Sequence, residues 1–397
     1  MASHARAASP LRRLRSALGR MGREAALYPS MVRIGTGPRL AILPSESREG
    51  ASLLRGYNMA TALRHHGWQT LVLPAQLALP QRTRVLERFR PDLVLVQQAR
   101  HPFNRAAHLG RWPLVLDIDD ADFLDPALEP ELTALLALAR GAVCGSRFIR
   151  DWAAQHTRAT RIVWTGTPIS PGPWPDHAAR RPLVTWAQLG PEGYRDELAI
   201  VAEVMADVGR RRGGVDLRLY SLSGPRDLPE LVQMQDAGVR IEFLPRLGYD
   251  AYLASLREAA VGLSAIASGT GFGRGKSFGK ILGYLDAKVP IVCSDAADHA
   301  LFFREGTGIV SNAPGCMGRC RLRPARRSRA PHGDVRGRAC RFPCPSVGGR
   351  RRRTVARLSE RTAGSCSPRG HMRTATASHC RCAGVSDHER GNFPWFN

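Results

Sequence analysis

Lysine is almost missing from this chain. Of 58 basic residues only Lys276, Lys280 and Lys288 are lysine, and arginine supplies every other positive charge. No apolar run approaches the ~18 residues a membrane-spanning helix needs, so such a helix is excluded. Cysteine is scarce in the body: seven of nine lie in 313–397, leaving Cys144 and Cys293. These two sit 149 positions apart on apolar strand-like runs (AVCGS, PIVCSD) and read as small buried hydrophobes in a reducing compartment, with no disulfide framework. Acid is scarce at the two ends. Residues 1–30 hold six Arg and one Glu, and residues 313–397 hold nineteen Arg against two Asp and two Glu. The ends therefore carry +5 and +15 of the formal +24, and the 282 residues between them only +4. The basicity describes the ends and not the body, which argues against a specific nucleic-acid partner.

The N-terminus (MASHARAASPLRRLRSALGRMGREAAL) lacks the apolar core of a secretory signal. Three readings stay open for it: a mitochondrial transit peptide, a basic amphipathic helix lying on an anionic membrane, or a solvated leader. Residues 313–397 show neither helical nor strand periodicity and carry an arginine run at 350–353. They read as a disordered tail that resembles out-of-frame translation of GC-rich DNA. Ordinary basic disorder is one alternative. A metal module drawn from Cys316, Cys320, Cys340, Cys344, Cys380, Cys382, His332, His371 and His379 is the other, at spacings unlike the common zinc knuckles.

Between Pro38 and Asn312 short apolar runs alternate with helical ones. LAIL (40–43), TLVL (70–73), DLVLV (92–96), PLVLD (113–117), AVCGS and RIVWTG read as buried strands, with amphipathic stretches between them. This alternation predicts an α/β, doubly wound parallel sheet. Residues 165–182 hold five prolines and no periodicity and read as a linker. A second series follows: strands at 183–188, 215–222, 239–244, 261–267 and 289–295, with helices at 197–211, 228–238, 249–260 and 277–287. The predicted organisation is a basic leader (1–37), a first Rossmann-like domain (38–165), a linker (166–182), a second Rossmann-like domain (183–312) and the tail (313–397). A ligand cleft is expected between the domains at the strands' C-terminal ends.

The three lysines fall within thirteen positions, and Lys276 and Lys280 flank the helix start SFGKILGYL behind the loop GTGFGRG. Glycines admit a close backbone approach, and a helix N-terminus offers free N–H groups and a positive dipole. With two compact point charges this predicts a phosphate or diphosphate cradle; the bland alternative is a solvated surface loop. Lys288 reads as a partner of the helix's C-terminal dipole. Thr270 stands where a Walker A loop needs its first Gly, and Arg274 where a dinucleotide GxGxxG needs its third, so neither motif matches. The clustered Asp117, Asp119, Asp120 and Asp122 suggest either chemistry, a metal cluster, or caps on the following turn.

The two-domain plan and the stretch KSFGKILGYLDAKVPIVCSDAADHALFFREGTGIV resemble the GT-B glycosyltransferases of the glycogen-synthase-like "group 1" type. The resemblance covers roughly residues 38–312. It implies two Rossmann-like domains and retaining transfer of a sugar from a nucleotide-sugar to a saccharide or lipid-linked acceptor. It also implies no cofactor and no bound metal, since protein cations and a helix N-terminus stabilise the departing diphosphate. Carried over by position, it makes Arg195, Lys276, Ser277, Lys280, Asp298 and His299 donor- or diphosphate-binding. Gly50, Ala51 and Arg55 fall on the acceptor-side loop, and Asp119 and Asp120 stand where the family has a His–Asp pair beside the transferred sugar. Two departures stand out. The family's pair of Glu eight positions apart is missing: the aligned positions hold Gly275 and Gly283, or Thr270 and Phe278. The family's closing C-terminal helices have no counterpart in 313–397. The expectation is a cytoplasmic sugar transferase of cell-surface polysaccharide or glycolipid synthesis, at the inner face of a membrane through its basic N-terminus. The alternatives are a GT-B-like pseudoenzyme that binds nucleotide without turnover and, less favoured, a P-loop-like hydrolase.

Overall fold

The computed structural model describes residues 10–32, 36–267, 269, 271–303 and 308–311. Residues 313–397 lie outside the described residues, and with them every reading of the tail and its cysteines.

Two six-stranded sheets form, and every strand pair in both is parallel. The first holds β1 (Arg39–Leu43), β2 (Gln69–Val72), β3 (Leu93–Gln97), β4 (Leu114–Ile118), β5 (Ala142–Cys144) and β6 (Thr160–Ile162), in the order 2-1-3-4-5-6. The second holds β7 (Arg181–Leu189), β8 (Val215–Tyr220), β9 (Val239–Leu244), β10 (Ala259–Ser264), β11 (Ile291–Cys293) and β12 (Ile309–Val310), in the order 12-11-10-7-8-9. Short unbroken apolar runs become strands covered on both faces: β1 is buried along its whole length. β12 spans only two residues and left no signal in the sequence.

Each sheet reverses its strand order once, between β1 and β3 in the first and between β7 and β10 in the second. At such a switch point the loops part to opposite faces and leave a crevice at the strands' C-terminal ends. A buried Tyr284 fastens the second one. Its hydroxyl donates to the Leu263 carbonyl (2.7 Å) and accepts from the Ala187 N–H (2.9 Å), tying β10 to β7. A Cβ on Gly262 would stand 2.6 Å from the Tyr284 ring, so only glycine leaves the ring room.

Cys144 and Cys293 are buried free thiols, each pushed up to about 12 by burial. Among the described residues no helix is long and apolar enough to cross a membrane.

Candidate functional site

The acids at the end of β4 are the centre of the first domain's charge. Asp117 and Asp119 alternate onto one side of the strand, where Arg55 meets them. Arg55 lies in the π-helical turn Ser52–Asn58 and is 4 % exposed. Its Nε is 2.9 Å from Asp117 Oδ2, and its Nη1 donates to the Val163 carbonyl (2.9 Å) and Thr165 Oγ1 (3.1 Å). Asp119 Oδ1 stands 3.5 Å from Arg55 Nη1 and accepts from Thr165 Oγ1 (2.8 Å). Burial raises Asp119 to about 6, against the pull of Arg55. Beyond the strand end, Asp120 and Asp122 turn to a second arginine. Arg100, past β3, bonds Asp120 Oδ2 at 2.9 Å and Asp122 Oδ2 at 2.8 Å. Burial works to raise Asp120, but Lys276 and Arg100 outweigh it and hold it below the ordinary range. No group of three or more His, Cys, Asp or Glu among the described residues is placed to hold a metal. The four clustered aspartates are divided between two arginines.

Gly50 adopts the left-handed region at φ +47°, where a side chain is strained, in the loop after β1. Ala51 leads into the turn that carries Arg55. Arg55 thus points down into the sheet, not toward an acceptor. Glu46 of the same loop is half-buried and raised by burial, and Glu49 pairs with Arg246 of the second domain.

The second domain also pairs charges, Arg218 with Glu242 and Glu258 among them, but two of its lysines stand apart. The loop after β10 makes the short helix Gly271–Arg274 and then the helix Gly279–Asp286, which starts two residues later than its sequence pattern predicts. The latter's N-cap is Phe278, and no side chain caps it. A Cβ built on Gly279 would meet nothing within 4 Å, so the space above this helix start is open. Lys280 is the second residue of the helix and Lys276 precedes it, with Ser277 between; all three are half-buried. Neither lysine forms a salt bridge with a described residue. Lys276 Nζ lies 4.2 Å from the Phe272 ring centroid and 5.1 Å from that of Tyr194, which follows β7. Burial and the neighbouring Lys276 push Lys280 down to about 8, while Glu197 and Asp120 counter them. Lys288 adopts φ +52° past the helix's end and places Nζ 3.8 Å from the Trp174 ring centroid, away from the cleft.

Two glycines of GTGFGRG, Gly271 and Gly275, serve a contact between the domains. A Cβ on Gly275 would stand 2.6 Å from Ala121 Cβ, and one on Gly271 2.9 Å from Leu124 Cδ1. The loop therefore lies directly on the turn that follows Asp120. Arg274 adds a guanidinium 4.3 Å from the Phe148 ring centroid.

Arg195 opens the helix Arg195–Arg212, but its guanidinium is exposed and grips Glu230 at 2.7 and 2.8 Å. Asp298 is buried and fully engaged. It accepts from Arg147 N–H (3.0 Å) and Nε (2.9 Å) and from Trp164 Nε1 (3.0 Å), which ties the second domain to the first. His299 is buried, and its Nδ1–H donates to the Ser294 carbonyl at 2.9 Å. Its Nε2 has no partner among the described residues, and burial holds the ring below its ordinary pKa. The structure thus brings Lys276 and Lys280, with Ser277 beside Lys276, within electrostatic reach of Asp120. It commits Arg195, Arg55, Asp119 and Asp298 to pairs of their own. Arg100 and Glu197 were missed in the sequence. Their signal is position alone: each lies just past the C-terminal end of a strand at a switch point.

No family model matches this chain, and no curated protein is similar to it in sequence. Its fold is nevertheless shared with solved structures. A sucrose-phosphate synthase from Thermosynechococcus elongatus superposes with TM-score 0.50 at 13 % identity, over 71 % of this chain and 88 % of that one. AviGT4, a glycosyltransferase involved in avilamycin A biosynthesis, gives 0.46 at 14 % identity over 71 % and 87 %. A UDP-forming trehalose-phosphate synthase from Burkholderia xenovorans gives 0.44 at 12 % over 71 % and 89 %. The fold is GT-B: two parallel doubly wound sheets, each reversing its strand order once.

Proposed function

We propose that this chain is a glycosyltransferase that moves a sugar from a nucleotide-sugar to a saccharide or lipid-linked acceptor. The observation that carries the reading is the lysine pair at an uncapped helix start, open above Gly279 and without a salt bridge among the described residues. A departing diphosphate gains most from cations and N–H groups already in place, because they need no reorganisation as charge develops. Lys276, Lys280 and the first amides of Gly279–Asp286 are such a set, with Ser277 as a hydroxyl donor. His299 Nε2, buried without a partner among the described residues, is the acceptor offered to a donor hydroxyl. Asp120, held ionised by Lys276 and Arg100, faces the transferred sugar and steadies its positive charge. In this reading transfer proceeds with retention and with no bound metal or cofactor. The sucrose-phosphate synthase and AviGT4 support sugar transfer only through the shared fold. We place the work in the cytoplasm, at the inner face of a membrane, in polysaccharide or glycolipid synthesis.

Calorimetry across UDP-, GDP- and ADP-sugars tests donor binding, followed by turnover before and after a chelator. Binding of one nucleotide class with chelator-resistant turnover is expected. Turnover that chelator abolishes and magnesium or manganese restores would remove the metal-free mechanism. The second reading, a nucleotide-binding pseudoenzyme, is favoured by one observation: no glutamate stands at either register of the family's Glu pair. Nucleotide binding without turnover would decide for it.

A further inference from the structure

The helix Pro10–Ala25 is not a free leader. Its last turn is fastened to the first domain. Glu24 is 5 % exposed and accepts from Arg84 Nη2 (2.8 Å) and Gln81 Nε2 (2.8 Å). Just beyond, the Arg88 guanidinium lies 4.9 Å from the Tyr28 ring centroid, and Met31 enters the core of the first sheet. The face before Glu24 is uncovered. Leu18 is 58 % exposed and Met21 is 62 % exposed. They stand three residues apart and so share one side of the helix. The helix contains five Arg and a single Glu, and that Glu is already neutralised by Arg84. Arg15, Arg20 and Arg23 form no salt bridge with a described residue.

A basic face alone suits a polyanion such as RNA, and an apolar stripe alone suits a protein groove. Both running side by side along one helix fit a third surface. The stripe sinks to the boundary of headgroup and acyl chain while the guanidinium groups bond lipid phosphates beside it. Charge complementarity commits the occupant: a bilayer carrying anionic lipid. We propose that the helix Pro10–Ala25 docks this chain on an anionic membrane surface, with Leu18 and Met21 inserted and the arginines on the phosphates. The proposal does not depend on the transfer reaction, and nucleotide binding by the same samples reports on that reading separately.

The test uses the full chain and sedimentation with vesicles, either phosphatidylcholine alone or with about 30 % phosphatidylglycerol. The chain should pellet with the mixed vesicles only. The tail holds nineteen Arg and can bind anionic lipid by charge alone, so the deciding variant keeps every charge. Leu18→Ser with Met21→Ser removes only exposed apolar surface, and near-UV dichroism checks that the fold is intact. It should weaken partitioning about tenfold or more, in line with lost apolar burial. Arg15→Gln, Arg20→Gln and Arg23→Gln together should weaken it comparably and flatten its salt dependence. Undiminished partitioning of the Leu18/Met21 variant would overturn the proposal. So would equal binding to both vesicles, or an RNA duplex that competes fully for both the parent and this variant.

Discussion

The two sides of the cleft hold their charges in opposite ways. On the first domain every acid at the end of β4 has an arginine: Arg55 takes Asp117 and Asp119, and Arg100 takes Asp120 and Asp122. On the second, Lys276 and Lys280 stand at an uncapped helix start with no salt bridge among the described residues, and Lys276 lies against two aromatic rings. A charge taken from water must be repaid by a partner. Where the partner is within the chain, the pair holds shape. Where it is not, the site is arranged for one that arrives. The difference separates framework from binding surface more sharply than residue type does, with Asp120 on the boundary: Arg100 holds it, and Lys276 acts on it from the second domain.

The comparison can be broken most forcefully at Arg55. Arg55→Met should leave Asp117 and Asp119 buried without their cation and cost about 3–5 kcal/mol of stability, read by chemical denaturation. A loss near zero would mean these acids are solvated and free for chemistry. The tie between the domains is next. Asp298→Ala should leave Trp164 Nε1 and Arg147 unpaired at a cost of about 1–3 kcal/mol, seen as a lower melting midpoint. No change would show that the contact is idle. Smallest is Arg195→Ala. This exposed pair with Glu230 should be worth under about 1 kcal/mol, and its loss should leave nucleotide affinity as it was. A large fall in affinity would move Arg195 from the surface into the site.

Much of the frame was legible in the sequence. Eleven of the twelve strands announce themselves as apolar runs, because parallel strands are covered on both faces. The Pro-rich break at 165–182 separates the two sheets in the chain. The site was less legible, because its meaning lies in pairings across the chain. Arg55 and Asp117 are 62 positions apart, Arg195 and Glu230 are 35 apart, and Arg147 and Asp298 are 151 apart. Nothing local distinguishes an arginine that awaits a phosphate from one that already has a carboxylate. The glycines of GTGFGRG show the same limit. A close approach to phosphate and a close approach to Ala121 demand the same residue, and only the fold reveals the second. The rarity of lysine was the one signal that pointed to the unpaired charges directly.

The central claim is that Lys280 waits for a diphosphate. Its pKa is down to about 8 in the free chain, through burial and the neighbouring Lys276. A bound diphosphate would hold the proton on. UDP affinity should therefore stay level below about 8 and fall as pH rises through it, by at most about tenfold per unit. Calorimetry is run from about pH 7, where a terminal phosphate is already ionised, to about pH 9.5. Lys280→Ala should bind about tenfold or more weakly at pH 7 and lose the inflection, as expected for a charged hydrogen bond. Lys280→Arg should bind with a flat profile. Equal affinity of the parent and Lys280→Ala, with no inflection in either, would contradict the account.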